Sequence, residues 1–218
     1  MTKRRDYGHF CVVVRALEVI GDKWSLLIVR DLLRGRQRFT DLLRYLGAIT
    51  PKWLTIRLRE MEAAGLVERE HEAGRREVWY GLTPKGRDLA PVVEALAMWG
   101  IQHALRPPLP GEPVYPELTM SAMTLFLNKQ RMRLPAEATW LFRFTPGGAH
   151  TIHFDGERWS TQAGEAEADV AVTTTPEAWV TLLAATPSER RLRAESTQIE
   201  GTPSKVDEFS RILSVGIE

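Results

Sequence analysis

Thr40-Asp41-Leu42-Leu43-Arg44-Tyr45-Leu46-Gly47-Ala48-Ile49-Thr50-Pro51-Lys52-Trp53-Leu54-Thr55-Ile56-Arg57-Leu58-Arg59-Glu60-Met61-Glu62-Ala63-Ala64-Gly65 is the stretch on which the fold turns. It predicts two helices joined by a brief turn. Thr40 is placed to cap a short helix over 41–46, with Leu42, Leu43 and Leu46 apolar. Gly47 interrupts it. Thr50 caps the next helix, and Pro51 sits where its missing amide costs nothing. That helix runs to Ala64 and stops at Gly65. Leu54, Leu58 and Met61 line one face of it, at helical spacing. The pair is a helix-turn-helix arrangement, which many helical proteins contain.

The flanks sharpen this reading. Upstream, a helix is expected over 9–20, with Val13, Leu17 and Ile20 sharing a face and Val14 beside them. A second is expected over 23–33, burying Trp24, Leu27, Ile28 and Leu32. Downstream, residues 66–71 and 77–82 read as two strands around a turn at 72–76. A charged hairpin directly after the second helix of the motif is a wing. Thr83-Pro84 then opens a long helix over 85–105, with Leu89, Val92, Val93, Leu96, Trp99 and Leu105 apolar.

With Leu54, Leu58 and Met61 turned inward, the opposite surface offers Lys52, Thr55, Ile56 and Arg59. The start of this helix is the part that enters the DNA major groove in such motifs. Thr55 can bond a base edge, Ile56 can meet a thymine methyl, and Lys52 and Arg59 suit phosphates or bases. Arg59 equally suits a solvent-facing ion pair. Arg69, His71, Arg75 and Arg76 are the wing candidates for phosphate or minor-groove contact. Trp24 and Trp53 read as packing residues, with Trp53 alternatively shaping the helix entry.

Residues 11–100 resemble the HxlR family of bacterial winged helix-turn-helix regulators, relatives of the MarR type. The matching stretches include 11–17, Ile20-Gly21-Asp22-Lys23-Trp24-Ser25-Leu26-Leu27-Ile28, Arg38-Phe39-Thr40-Asp41-Leu42, 49–62, Gly65-Leu66-Val67 and 80–86. The resemblance implies a homodimer on a roughly palindromic operator, paired through the first and last helices of the domain. The chain departs from the family at Val12, where a proline often follows the cysteine, and at Ile56, where a polar residue is common. Its wing also lacks the prolines that frequently precede the return strand. In some relatives the cysteine matching Cys11 senses oxidants. A place near a helix start with Lys and Arg nearby favours that role, whereas cysteine is also among the most buried residue types.

Charge divides the chain in the same way. Residues 1–106 hold 19 Lys and Arg against 13 Asp and Glu, a balance of +6; residues 107–218 hold 10 against 15, a balance of −5. The basic half can face a polyanion. Arg106-Pro107-Pro108-Leu109-Pro110-Gly111-Glu112-Pro113 cannot continue a helix. The expected organisation is therefore a winged helix-turn-helix and dimerisation domain over 1–106, a Pro-rich linker over 107–116 and a second domain over 117–218. No apolar run approaches the length of a bilayer span, so the cytoplasm and no membrane partner are expected. Cys11 is the sole cysteine, which excludes an intrachain disulfide.

The second domain reads as α+β. A helix is expected over 118–130, strands over 138–144, 151–154 and 168–174, a helix from Thr175-Pro176 to about Ala185, a strand near 196–199 and a last helix after Thr202-Pro203. Residues 117–215 resemble the sterol carrier protein-2-like fold. The resemblance is carried by the hairpin Ile152 to Trp159, the strand Ala168 to Thr174 with its Thr-Pro helix, and Ile199-Glu200-Gly201 before a helix. It implies an apolar cavity between sheet and helices, open to a small apolar effector. Met120, Met123, Phe126, Leu127, Trp140, Phe142, Trp179 and Leu183 are the candidate lining, and each is equally a core residue.

Three function classes remain: an operator-binding homodimeric regulator of double-stranded DNA, a lipid carrier whose winged domain serves mainly for dimerisation, and an enzyme. The enzyme class does poorly. No phosphate loop, metalloprotease helix or nucleophile elbow appears, the five histidines are dispersed, and the spacing of Cys11, His71 and His103 does not ask for a metal. No cofactor is expected.

Overall fold

The computed structural model describes residues 7–71, 77–185 and 197–214. It divides into two compact units, Met1–Leu96 and Ala97–Glu218. The division falls inside a helix, about ten residues before the prolines.

The first unit contains α1 (Val12–Ile20), α2 (Ser25–Leu33), β1 (Gln37–Arg38), α3 (Phe39–Leu46), α4 (Pro51–Ala63), β2 (Val67–His71), β3 (Val78–Leu82) and α5 (Pro84–Arg87). The helix α6 (Ala90–His103) begins in it and crosses into the second unit. The strands form an antiparallel sheet in the order β1-β3-β2, with Val67 opposite Leu82 and His71 opposite Val78. Ile28, Leu32, Leu42, Leu54, Leu58 and Met61 close the core of this unit. The Thr50 cap forms as its chemistry dictates: Thr50 Oγ1 accepts the Trp53 amide at 3.3 Å, with Pro51 in the first turn.

Two expectations for this unit are corrected. Thr40 does not cap α3. The two-residue strand β1 pairs with β3 through Arg38, so the helix starts at Phe39, and the Arg38 amide donates to Asp41 Oδ2 at 3.2 Å. The helix expected over 85–105 is two helices. Pro91 can donate no amide to residue 87 and would crowd its carbonyl, so α5 ends at Arg87 and α6 starts afresh at Ala90. In α1, Val14 and Ile20 are buried, while Val13 and Leu17 stand 61% and 37% exposed. α6 buries none of its side chains: Val93 leans on the core, as does Leu89 just before the helix, while Leu96 and Trp99 stand 52% and 60% exposed.

The second unit contains α7 (Pro116–Lys129), β4 (Ala138–Phe144), β5 (Gly148–Phe154), β6 (Trp159–Ala163), β7 (Val170–Thr174), α8 (Pro176–Ala184), β8 (Gln198–Gly201) and α9 (Pro203–Ser214). The sheet order is β6-β5-β4-β7-β8, parallel only between β4 and β7. Alternation along β4 places Trp140, Phe142 and Phe144 on one face. Met120 of α7, Trp179 of α8 and Phe209 of α9 complete a buried aromatic core with them. The strand expected near 196–199 lies at 198–201, pairing Gln198 with Thr173 and Gly201 with Val170. Gly201 permits this register, because a Cβ there would sit 2.7 Å from the Asp169 carbonyl oxygen. Among the described residues no helix is long and apolar enough to cross a membrane.

Candidate nucleic-acid interface

Helix α4 is presented by a polar clamp that its sequence does not advertise. Asp22, in the turn between α1 and α2, accepts the amides of Trp24 and Ser25 through Oδ1, and its Oδ2 accepts the Ser25 hydroxyl. Arg57 reaches this turn from α4. Its Nε donates to Ser25 Oγ at 2.7 Å, and its guanidinium also bonds the Val19 carbonyl at 2.6 Å and Asp22 Oδ2 at 2.7 Å. A further 2.7 Å contact to Glu60 lies along the helix. Arg57 therefore fixes α4 to the α1–α2 turn on its inner side. Reading apolar periodicity missed it, since the signal is an Asp–Arg pair 35 residues apart.

The outer side of α4 carries the expected quartet. Lys52 and Arg59 are exposed, and Thr55 and Ile56 are half-buried. Thr55 Oγ1 donates back to the Pro51 carbonyl at 2.8 Å, which holds its rotamer and leaves its oxygen able to accept. Trp53 is 55% exposed and so is not a packing residue; it follows Lys52 in the first turn of the helix. Among the flanking cations, Arg36 is paired with Glu70, and Arg38 with Glu77 at 3.1 Å while lying over the Trp79 ring.

In the wing, Val67 and Arg69 lie two residues apart on β2 and so share one face of it. Arg69 is exposed and its register partner is Tyr80. Burial pushes the Tyr80 hydroxyl pKa up, opposed by the charges of Arg69 on β2 and Arg59 on α4, with Glu62 reinforcing the rise. The side chain of His71, and Arg75 and Arg76 entirely, lie outside the described residues.

Cys11 is half-buried at the N-cap of α1. The backbone amides of Val14 and then Val13 hold its thiol below the ordinary cysteine range, against a small opposing effect of burial. Asp31 is the reverse case. It is buried in α2, and desolvation raises its carboxyl despite contacts from Arg30 at 3.0 Å and Arg34 at 3.8 Å.

The candidate lining residues of the second unit separate into two groups. Met120, Trp140, Phe142 and Trp179 fill the space between sheet and helices as solid core. Met123, Phe126, Leu127 and Leu183 border a cavity of about 310 Å³ whose walls, among the described residues, come from helices and their connections; Met123 and Leu127 also belong to the core.

A capped helix with a polar outer face, followed by a two-stranded wing, defines a helix-turn-helix transcriptional regulator. Residues 19–107 match the HxlR-like helix-turn-helix family, and the chain belongs to that family. An HTH-type transcriptional regulator of Methanothermobacter thermautotrophicus is 36% identical over 108 residues, spanning 49% of this chain and 82% of its own. YybR of Bacillus subtilis, also an HTH-type transcriptional regulator, is 40% identical over 92 residues, 41% of this chain and 73% of its own. The solved structure of the redox regulator HypR in its oxidized form is 40% identical, with a TM-score of 0.40, over 41% of this chain and 94% of that one.

Proposed function

We propose that this protein is a sequence-specific transcriptional regulator that binds an inverted-repeat operator in double-stranded DNA as a homodimer, under the control of a small apolar effector held by the C-terminal unit. The observation that carries the reading is the outer face of α4. Lys52, Trp53, Thr55, Ile56 and Arg59 are presented there on a helix whose inner face is locked by Leu54, Leu58 and Arg57. In this reading Thr55 and Ile56 read base edges, Lys52 and Arg59 meet phosphate or guanine, and Arg69 with Arg75 and Arg76 extends the contact along the wing. The exposed apolar residues of α1 and α6 support pairing with a second copy: Val13, Leu17, Leu96 and Trp99 would otherwise stay in water. Sedimentation with a duplex bearing inverted half-sites should show two chains per duplex. A monomer with full affinity would refute the dimer.

A thiol-sensing role for Cys11 is the second reading, favoured by its partial exposure and lowered thiol pKa. Operator affinity before and after quantitative alkylation tests it. The lipid-carrier reading would instead require tight lipid binding with DNA affinity no better than for random duplex.

A further inference from the structure

The end of α4 is closed by two sets of bonds. Gly65 takes a left-handed conformation at φ 70°, and the Gly65 and Leu66 amides fold back onto the Glu62 and Met61 carbonyls, each at 2.9 Å. This closure leaves the carbonyls of Ala64 and Gly65 outside the helix, where water would ordinarily meet them. Both are instead taken by the segment that follows the wing. Lys85 Nζ donates to the Ala64 carbonyl at 2.8 Å, and Thr83 Oγ1 to the Gly65 carbonyl at 2.7 Å. The Thr83 amide donates to the Leu66 carbonyl at 3.1 Å, and the Thr83 hydroxyl accepts the Gly86 amide at 3.1 Å. The end of α4, the start of β2 and the end of β3 thus meet at one hydrogen-bonded node. The Lys85 ammonium also opposes the negative end of the α4 dipole.

We infer that Lys85, with Thr83, is a positioning residue for DNA binding: it fixes the wing to α4, so that helix and wing meet the duplex as one body. The DNA consequence rests on the contacts proposed above for α4 and Arg69; the fixing of wing to helix does not. Arg57 already holds the inner side of α4, so the motion the node opposes is a swing of the hairpin about Leu66. A strand rises about 3.3 Å per residue, which puts Arg69 roughly 10 Å beyond Leu66. A swing of about 10° would carry Arg69 about 2 Å, well beyond the roughly 0.5 Å range of good hydrogen-bond distances. Lys85 is not placed as a groove contact itself. Its Nζ sits at Ala64, roughly 18 Å along α4 from Lys52, where the groove is entered.

The test uses the full-length chain and Lys85→Met, which keeps the stem and removes the donor. Without DNA, hydrogen exchange of the Leu66 and Thr83 amides should quicken by about fivefold, while the Leu54 and Leu58 amides exchange as before. Thr83→Val, which removes the hydroxyl and nearly keeps the shape, should quicken the same two amides. Affinity is then measured for a synthetic duplex of mixed sequence at near-physiological salt, which reads phosphate contacts. Arg69→Ala should weaken the parent chain about threefold, and the Lys85→Met chain by less than about 1.5-fold, because a displaced wing has already lost that contact. Losses that simply multiply would give Lys85 a separate role and overturn the inference. Exchange at Leu66 and Thr83 that both Lys85→Met and Thr83→Val leave unchanged would overturn it as well. Quickened exchange in a chain that binds no duplex would support the fixing of wing to helix and sink the DNA reading alone.

Discussion

Replacing Arg57 by alanine should destabilise the first unit by about 3 kcal/mol, the magnitude found when one partner of a buried ion pair is removed. Arg57 is 16% exposed and Asp22 17%, so little water is at hand to replace the guanidinium. The substitution removes bonds to Ser25 Oγ, the Val19 carbonyl and Asp22. Each charge-assisted bond contributes about 1.5–3 kcal/mol in isolation, and their sum is too large, because Asp22 keeps the Trp24 and Ser25 amides. Arg57→Lys retains the charge and not the fork, so roughly half the loss is expected. Glu60→Ala removes only the more exposed contact and should cost less than about 1 kcal/mol. Hydrogen exchange of the α4 amides measures this on the first unit alone, which global unfolding of a two-unit chain does not. An Arg57→Ala loss below about 1 kcal/mol, or equal to that of Glu60→Ala, would refute the clamp.

Other outcomes follow from the same geometry. Gly86→Ala should cost about 2 kcal/mol or more in the stability of the first unit, since the new Cβ would fall 2.0 Å from the Leu66 carbonyl oxygen; unchanged amide exchange would contradict the close approach. Glu112 is held at a pKa of about 2 by the Arg106 guanidinium and the Leu109 amide. A lowered carboxylate pKa contributes order above its unfolded value and loses it as pH falls, so protection of the Leu109 amide should fade between about pH 4.5 and 2. Leu96→Glu and Trp99→Glu should yield monomers with weakened operator affinity, read by sedimentation. Arg69→Ala, like replacement of Arg75 or Arg76, should weaken binding to most sequences and lower the salt slope by about 1, whereas Thr55→Ala or Ile56→Ala should mainly shift sequence preference. Alkylation of Cys11 should show a pH midpoint below that of an ordinary thiol.

Local chemistry was legible in the sequence wherever a few adjacent residues decide the structure. Thr50-Pro51 announces a helix start, and the apolar spacing of Leu54, Leu58 and Met61 announces its inner face. Partners distant in sequence were not legible. The start of α3 is set by pairing of Arg38 with Trp79, not by Thr40. Arg57 looks like any surface cation until α1 and α2 deliver Asp22 and Ser25 to it. Periodicity identified the apolar stripes of α1 and α6 and could not say whether they face a core or water, because both uses require the same residues. The same limit applies to α7. Met120 and Met123 are three residues apart, yet the first lies in the aromatic core and the second also borders the cavity.

Regulation as proposed depends on sequence-specific recognition through α4 by two symmetric copies. Selection of the full-length chain against a library of random duplexes, at near-physiological salt and beside an Ile56→Ala, Thr55→Ala double variant, tests it most directly. An enriched inverted repeat is predicted, with half-sites centred about one helical turn apart or a multiple of it, and altered half-site positions in the variant. Recovery of no motif above the starting library, or of one indifferent to both substitutions, would contradict it.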